Sequence, residues 1–205
     1  MSDKWLEWVK RIRAISQAGL TYAKDDFDRE RYEELQAISA DILAQHSEME
    51  IGSIRHLYKY EQGYQTPKVD VRGVVFSQGK VLMVKEKRDN GWALPGGFCE
   101  VGLSPVENIV KEIREEAGYE VLPTRLLAVL DMEKHSHPPQ PYHYYKIFIQ
   151  CKIIGGKAKH SIETSGVNFF EEGRLPNLSL ARNTEEQIHI VFQFLKDPKK
   201  QSIFD

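Results

Sequence analysis

The chain has 205 residues, of which 41% are hydrophobic and 28% charged, and its net charge is −2. That leaves room for one good domain and a small appendage, and the near-balanced charge argues against a broad basic surface for nucleic acid. The two cysteines, Cys99 and Cys151, make no disulfide framework, the start Met1-Ser2-Asp3-Lys4-Trp5 has no apolar signal segment, and no uninterrupted apolar run could span a bilayer, so a reducing cytoplasm is the expected compartment.

Trp5, Trp8, Val9, Ile12 and Ile15 recur at helical spacing and predict a first helix that Gly19 ends. Tyr32, Leu35, Ile38 and Ile42 predict a second helix over residues 28–45. Two short helices cannot bury such stripes alone. The stripes are expected to pack on the rest of the chain or on a second copy, which makes a homodimer the expected assembly.

After Pro67 the pattern changes to strands. Residues 69–76 and 80–84 flank the turn Ser77-Gln78-Gly79, a hairpin signal. Arg72 on the first of these strands is a candidate phosphate contact, or a strand-surface residue. Trp92-Ala93-Leu94-Pro95 leads into the Gly96-Gly97 turn. Trp92 is a core residue or a wall against which a base stacks.

A helix should follow. Ser104 is the N-cap candidate, Pro105 fits the first helical position and Glu107 completes a capping box. Val106, Ile109, Val110, Ile113 and Ala117 form its apolar stripe, and Gly118 stands where a left-handed C-cap belongs. Glu112, Glu115 and Glu116 lie at i, i+3 and i+4, on one face of that helix. Carboxylates so spaced can share a divalent cation in an all-oxygen site, the kind Mg²⁺ uses on phosphate oxygens. A solvated acidic face is the plainer alternative, and the adjacent Gly-Gly turn, which lets backbone approach the same ion, favours the metal.

The segment 135–143 carries His135, His137 and His143 among three prolines, and it reads as a long functional loop. Its spacing matches no zinc pattern. His137 and His143 are candidate substrate contacts, with an ordinary solvent loop as the alternative. Strands are expected at 126–130, 144–151 and 167–170, then a helix capped by Asn183 or Thr184 with Ile188, Val191, Phe192 and Leu195 inside. Strands around one helix with a second helix late in the chain give an α/β fold, a sheet between helices.

Residues 97–119 resemble the Nudix box, G-x5-E-x7-R-E-U-x-E-E-x-G-U with U aliphatic. Gly97, Glu112, Ile113, Glu115, Glu116 and Gly118 match it, while Leu103 replaces the first glutamate, Lys111 the arginine and Tyr119 the last aliphatic residue. The two charged departures read as loss of a structural ion pair rather than of chemistry. Trp8, Arg31-Tyr32 and the run from Gly63 to Gly73 extend the resemblance to a bacterial Nudix subgroup with an N-terminal helical extension, which includes the CDP-choline pyrophosphatases of bacilli.

That resemblance implies an α/β/α sandwich with a mixed sheet over residues 65–205, and a small N-terminal helical domain over 1–64. That domain is expected to form the dimer or to sit near the substrate mouth. It implies hydrolysis of a nucleoside diphosphate linked to another group, with Mg²⁺ or Mn²⁺. Glu112, Glu115, Glu116 and the carbonyl of Gly97 are the implied ligands, and Glu100, three residues past the turn, is a further candidate. The general base is a box glutamate, Glu112 or Glu115, or the loop carboxylate Glu163. Tyr64, in the link between the domains, is a candidate base contact. CDP-choline, cleaved to CMP and phosphocholine, is the expected substrate. The alternatives are ADP-ribose or a nucleotide sugar, RNA ends, or a nucleotide-sensing regulator that is not an enzyme.

Overall fold

A computed structural model of the chain describes residues 4–59, 61–138 and 140–205. They form two compact units, one running up to residue 67 and taking in residues 140–143, the other made of residues 68–138 and 144–205.

The first unit is helical: α1 (Lys4–Tyr22), α2 (Asp26–His46) and α3 (Ile51–Lys59). Asp25 caps α2 by accepting from the Asp28 backbone N–H. Its small core is Val9, Ala40, Leu43 and Ile54, with Trp5, Leu6 and Ile42 partly covered around it. Gly19 does not end α1, which continues to Tyr22. A side chain at Gly19 would meet the Tyr32 ring at 2.4 Å, so glycine serves the close approach of α2 rather than termination. The inner face of α1 also differs from the expected stripe. It buries Val9, Arg13, Ser16 and Gln17, while Trp8 is 57% and Ile15 60% exposed. Arg13 can be buried because it pairs with Glu61 at 2.9 Å and its guanidinium lies 4.0 Å from the centre of the Tyr58 ring.

The second unit holds a seven-stranded mixed sheet among the described residues. Its strands are β1 (Lys68–Ser77), β2 (Lys80–Glu86), β3 (Trp92–Ala93), β4 (Tyr119–Asp131), β5 (Tyr144–Gly156), β6 (Thr164–Phe170) and β7 (Ile203–Phe204). They run in the order β3-β2-β1-β5-β4-β7, and β6 pairs with β2. β1 lies parallel to β5, and β4 and β5 are antiparallel. Helices α4 (Pro105–Ala117) and α5 (Glu185–Lys196) cover the two faces.

Alternation along the strands shows the sandwich directly. Val71, Val75, Leu82 and Val84 pack with Ile109, Ile113 and Ala117 of α4. The neighbouring positions Val74, Val81 and Met83 point the other way and pack with Ile188, Val191, Phe192 and Phe194 of α5. The predicted signals at α4 all form: the Ser104–Glu107 capping box, Pro105 in the first turn and Gly118 at φ 77° as a left-handed cap. α5 is capped by Thr184, in a second capping box with Gln187 that the sequence reading did not register. Among the described residues no helix is long and apolar enough to cross a membrane.

Candidate active site

The site is built where the Gly96-Gly97 turn runs beside β1 and over the last turns of α4. Three backbone bonds tie the turn to β1: Gly73 N–H to Pro95 O at 2.8 Å, Val71 N–H to Gly97 O at 2.9 Å, and Cys99 N–H to Val69 O at 2.9 Å. Gly96 adopts φ 140°, and a Cβ there would sit 2.0 Å from Val71 O, so only glycine fits. Its N–H donates to Glu116 Oε2 at 2.8 Å. Gly97 stands over Glu112, whose carboxylate would be 3.5 Å from any side chain placed there.

The electrostatics follow from burial. Glu116 is nearly buried, and desolvation pushes its carboxyl up to about 8, against the Gly96 bond and the Arg72 charge, which favour ionisation. Burial also raises Glu112, opposed by Lys111 and reinforced by Glu115. At neutral pH Glu116 thus holds a proton that a divalent cation would displace. The donor set is oxygen throughout, which fits Mg²⁺ or Mn²⁺ rather than a softer metal. In these side-chain positions no three His, Cys, Asp or Glu among the described residues enclose an ion. Glu115 extends into solvent with its side chain about half exposed, and Lys111 Nζ lies 3.7 Å from its Oε2.

Glu163 lies close by. Its loop is fastened where it enters β6: Lys87 N–H donates to Glu163 O at 3.0 Å, and the Thr164 hydroxyl donates to the Glu116 carbonyl at 2.9 Å. The Glu163 charge helps to raise both Glu112 and Glu86.

Other predicted residues are engaged elsewhere. Arg72 is buried on β1. Its Nε and Nη2 fork onto Asp70 at 2.9 and 2.7 Å, and its Nη1 donates to Leu94 O, so this guanidinium braces the turn from behind. Glu100, considered as a metal ligand, is bonded to Lys111 at 2.5 Å. Trp92 packs edge-on against Phe170, with ring centres 4.8 Å apart, among core residues of the α5 face. His137 donates from Nδ1 to Leu180 O, and burial pushes it down to about 4, so it is neutral. Tyr64 and His143 belong to the first unit, where Tyr64 is exposed.

The sequence reading missed several residues around the site. Lys146 on β5 donates to Asp70 and to Arg182 O, both at 2.8 Å. Burial pushes Asp70 up, but Arg72 and Lys146 outweigh it and hold the carboxyl below its usual range. Burial pushes Lys146 down to about 8, which leaves it charged at neutral pH beside that carboxylate. Glu86, buried at the end of β2, is raised by burial and lies 2.7 Å from Arg182 Nε. Asp70 and Arg72, an acid and a base two apart on one strand, were the available signal. Their pairing with Lys146 depends on the β1–β5 register, which sets Asp70 opposite Lys146.

Residues 66–194 match the NUDIX domain family, and residues 3–58 match a family described as a UDP-X-like, N-terminal oligomerisation domain. The chain is 59% identical over its whole length to YjhB of Bacillus subtilis strain 168, covering 99% of that protein, whose name as an ADP-ribose pyrophosphatase is provisional. Among solved structures, a UDP-X diphosphatase is 37% identical with a TM-score of 0.65, over 100% of this chain and 99% of that one. An ADP-ribose pyrophosphatase from Streptococcus suis is 38% identical with a TM-score of 0.61, over 68% of this chain and 100% of that one.

Proposed function

The chain belongs to the Nudix hydrolase family, and we propose that it is a Mg²⁺- or Mn²⁺-dependent pyrophosphohydrolase of nucleoside diphosphates linked to a second group. The observation that carries this reading is Glu116, buried and fixed by the Gly96 N–H beside Glu112, with the Glu163 charge near enough to raise Glu112. Glu112, Glu115 and Glu116 are the proposed ligands; the Gly97 carbonyl, which accepts from the Val71 N–H on β1, has only its second lone pair to add. These residues would hold a divalent ion, which would supply charge neutralisation of pyrophosphate oxygens and acidification of water.

The chain's own residues do the rest. Gly96 keeps Glu116 in place, and Arg72 braces the turn that presents Gly97. Glu163 is the proposed general base. It accepts the proton of the attacking water as the oxygen bonds to phosphorus and the second phosphate leaves.

ADP-ribose is the proposed first substrate. The names of the B. subtilis and S. suis relatives favour it over CDP-choline. The outward apolar side chains of the first unit support a homodimer: Trp8, Ile15 and Tyr22 along one stripe of α1, and Phe27, Leu35 and Ile38 on α2. The match to an N-terminal oligomerisation family supports the same assembly. The test is a hydrolysis screen of ADP-ribose, CDP-choline, UDP-sugars and short RNA with Mg²⁺ or Mn²⁺. Release of a nucleoside monophosphate from the diphosphate-linked compounds is expected. Turnover of RNA alone would overturn the reading.

A further inference from the structure

We propose that Glu100 is a positioning residue: its carboxylate takes the closer share of the Lys111 ammonium, which loosens the ammonium's hold on Glu115 and leaves that carboxylate more available to the divalent ion. The inference rests on the metal reading above.

One ammonium stands between two carboxylates. Lys111 Nζ donates to Glu100 Oε1 at 2.5 Å and is 3.7 Å from Glu115 Oε2. Lys111 and Glu115 are i and i+4 on α4 and form the longer of the two ion pairs, the contact with Glu100 being the shorter. Lysine on the N-terminal side is the weaker orientation of such a pair, so a well-placed second carboxylate can win the ammonium.

The loop places Glu100 well. Its N–H donates to Asn108 Oδ1 at 2.9 Å. Asn108 is fully buried on α4 and donates from Nδ2 to Leu103 O at 3.2 Å and Ser104 O at 3.0 Å. The Leu103 N–H closes the turn onto Glu100 O at 3.3 Å. The backbone of Glu100 is thus fixed by the same helix that carries both Lys111 and Glu115. The acid that pairs with position 111 comes from position 100, and Leu103, 37% exposed, is left as a turn residue.

If Glu100 is lost, Lys111 should settle on Glu115 and compete with the cation. The test is Mn²⁺ binding to the substrate-free full-length protein, read by the electron paramagnetic resonance of unbound Mn²⁺, with circular dichroism confirming each fold. Glu100→Gln should weaken binding by about 2- to 5-fold, the range of an exposed ion pair. Lys111→Met should bind at least as well as wild type. The double variant Glu100→Gln with Lys111→Met should recover wild-type binding, because nothing then competes for Glu115. Unchanged binding in Glu100→Gln would overturn the proposal. A loss that Lys111→Met does not rescue would also overturn it, and would make Glu100 a ligand or a purely structural residue. Glu115→Gln separates the two levels: if it binds Mn²⁺ like wild type, the metal reading itself is wrong and this proposal falls with it.

Discussion

Glu116 sets burial against ionisation. In the folded, metal-free chain its carboxyl is pushed up to about 8, from an ordinary value of 4.5 when unfolded. Between those values the folded state binds the extra proton, so stability falls as pH rises through that window. The effect is on the order of a few kcal/mol for a shift of this size. Glu112 and Glu86 are raised too and act in the same direction. His137 acts oppositely: it is pushed down to about 4, so its contribution is full above the ordinary 6.5 and lost as pH falls towards 4. Comparing variants isolates Glu116. In the presence of a chelator, the melting temperature of wild type should drop more steeply from pH 5.5 to 8 than that of Glu116→Gln. Parallel pH profiles would show that Glu116 is not the strained carboxyl.

At the scale of elements, the turn before α4 is the critical joint. Gly96→Ala places a methyl group 2.0 Å from Val71 O at a φ of 140°, so the turn must shift. The expected cost is more than about 1 kcal/mol, with loss of the Glu116 bond and of turnover. Denaturant unfolding and steady-state kinetics on the variant check both parts, and an unperturbed enzyme would remove the turn from the account. This joint was legible in the sequence because its signals are local: cap, proline, apolar stripe and glycine stop fall within residues 104–118. The hairpin of β1 and β2 was legible for the same reason.

What the sequence did not yield depends on distant partners. Asp70 meets Lys146 76 positions away, and Arg13 meets Glu61 48 positions away. No periodicity encodes either meeting. Glu86 looks like an ordinary strand-end charge until Arg182 folds back onto it. Periodicity located the apolar residues of α1 but not their covering, so Trp8 and Ile15 were grouped with Val9 although they face outward. The two-residue strands β3 and β7 are too short to show any period. The carboxylates of α4 and Glu163 were singled out as candidates by spacing and by the family resemblance. The brace of Arg72 on Asp70 and Leu94 was visible only in the fold.

For the whole molecule, the proposed homodimer rests on the outward stripe of the first unit. Trp8→Glu combined with Ile15→Glu leaves the Val9, Leu43 and Ile54 core intact while placing charge on the exposed face. Sedimentation velocity should show wild type as a dimer at micromolar concentration and the double variant as a folded monomer. A wild-type monomer would contradict the proposed assembly. The central claim is that the Glu112–Glu115–Glu116 face cleaves a phosphoanhydride, and it is tested most directly by following AMP and ribose 5-phosphate released from ADP-ribose with Mn²⁺. Wild type should yield both products in equal amounts. Glu116→Gln, folded and equally concentrated, should be slower by about 10²-fold or more, since loss of metal-based charge stabilisation costs several kcal/mol. Near-normal product release by Glu116→Gln would contradict the account.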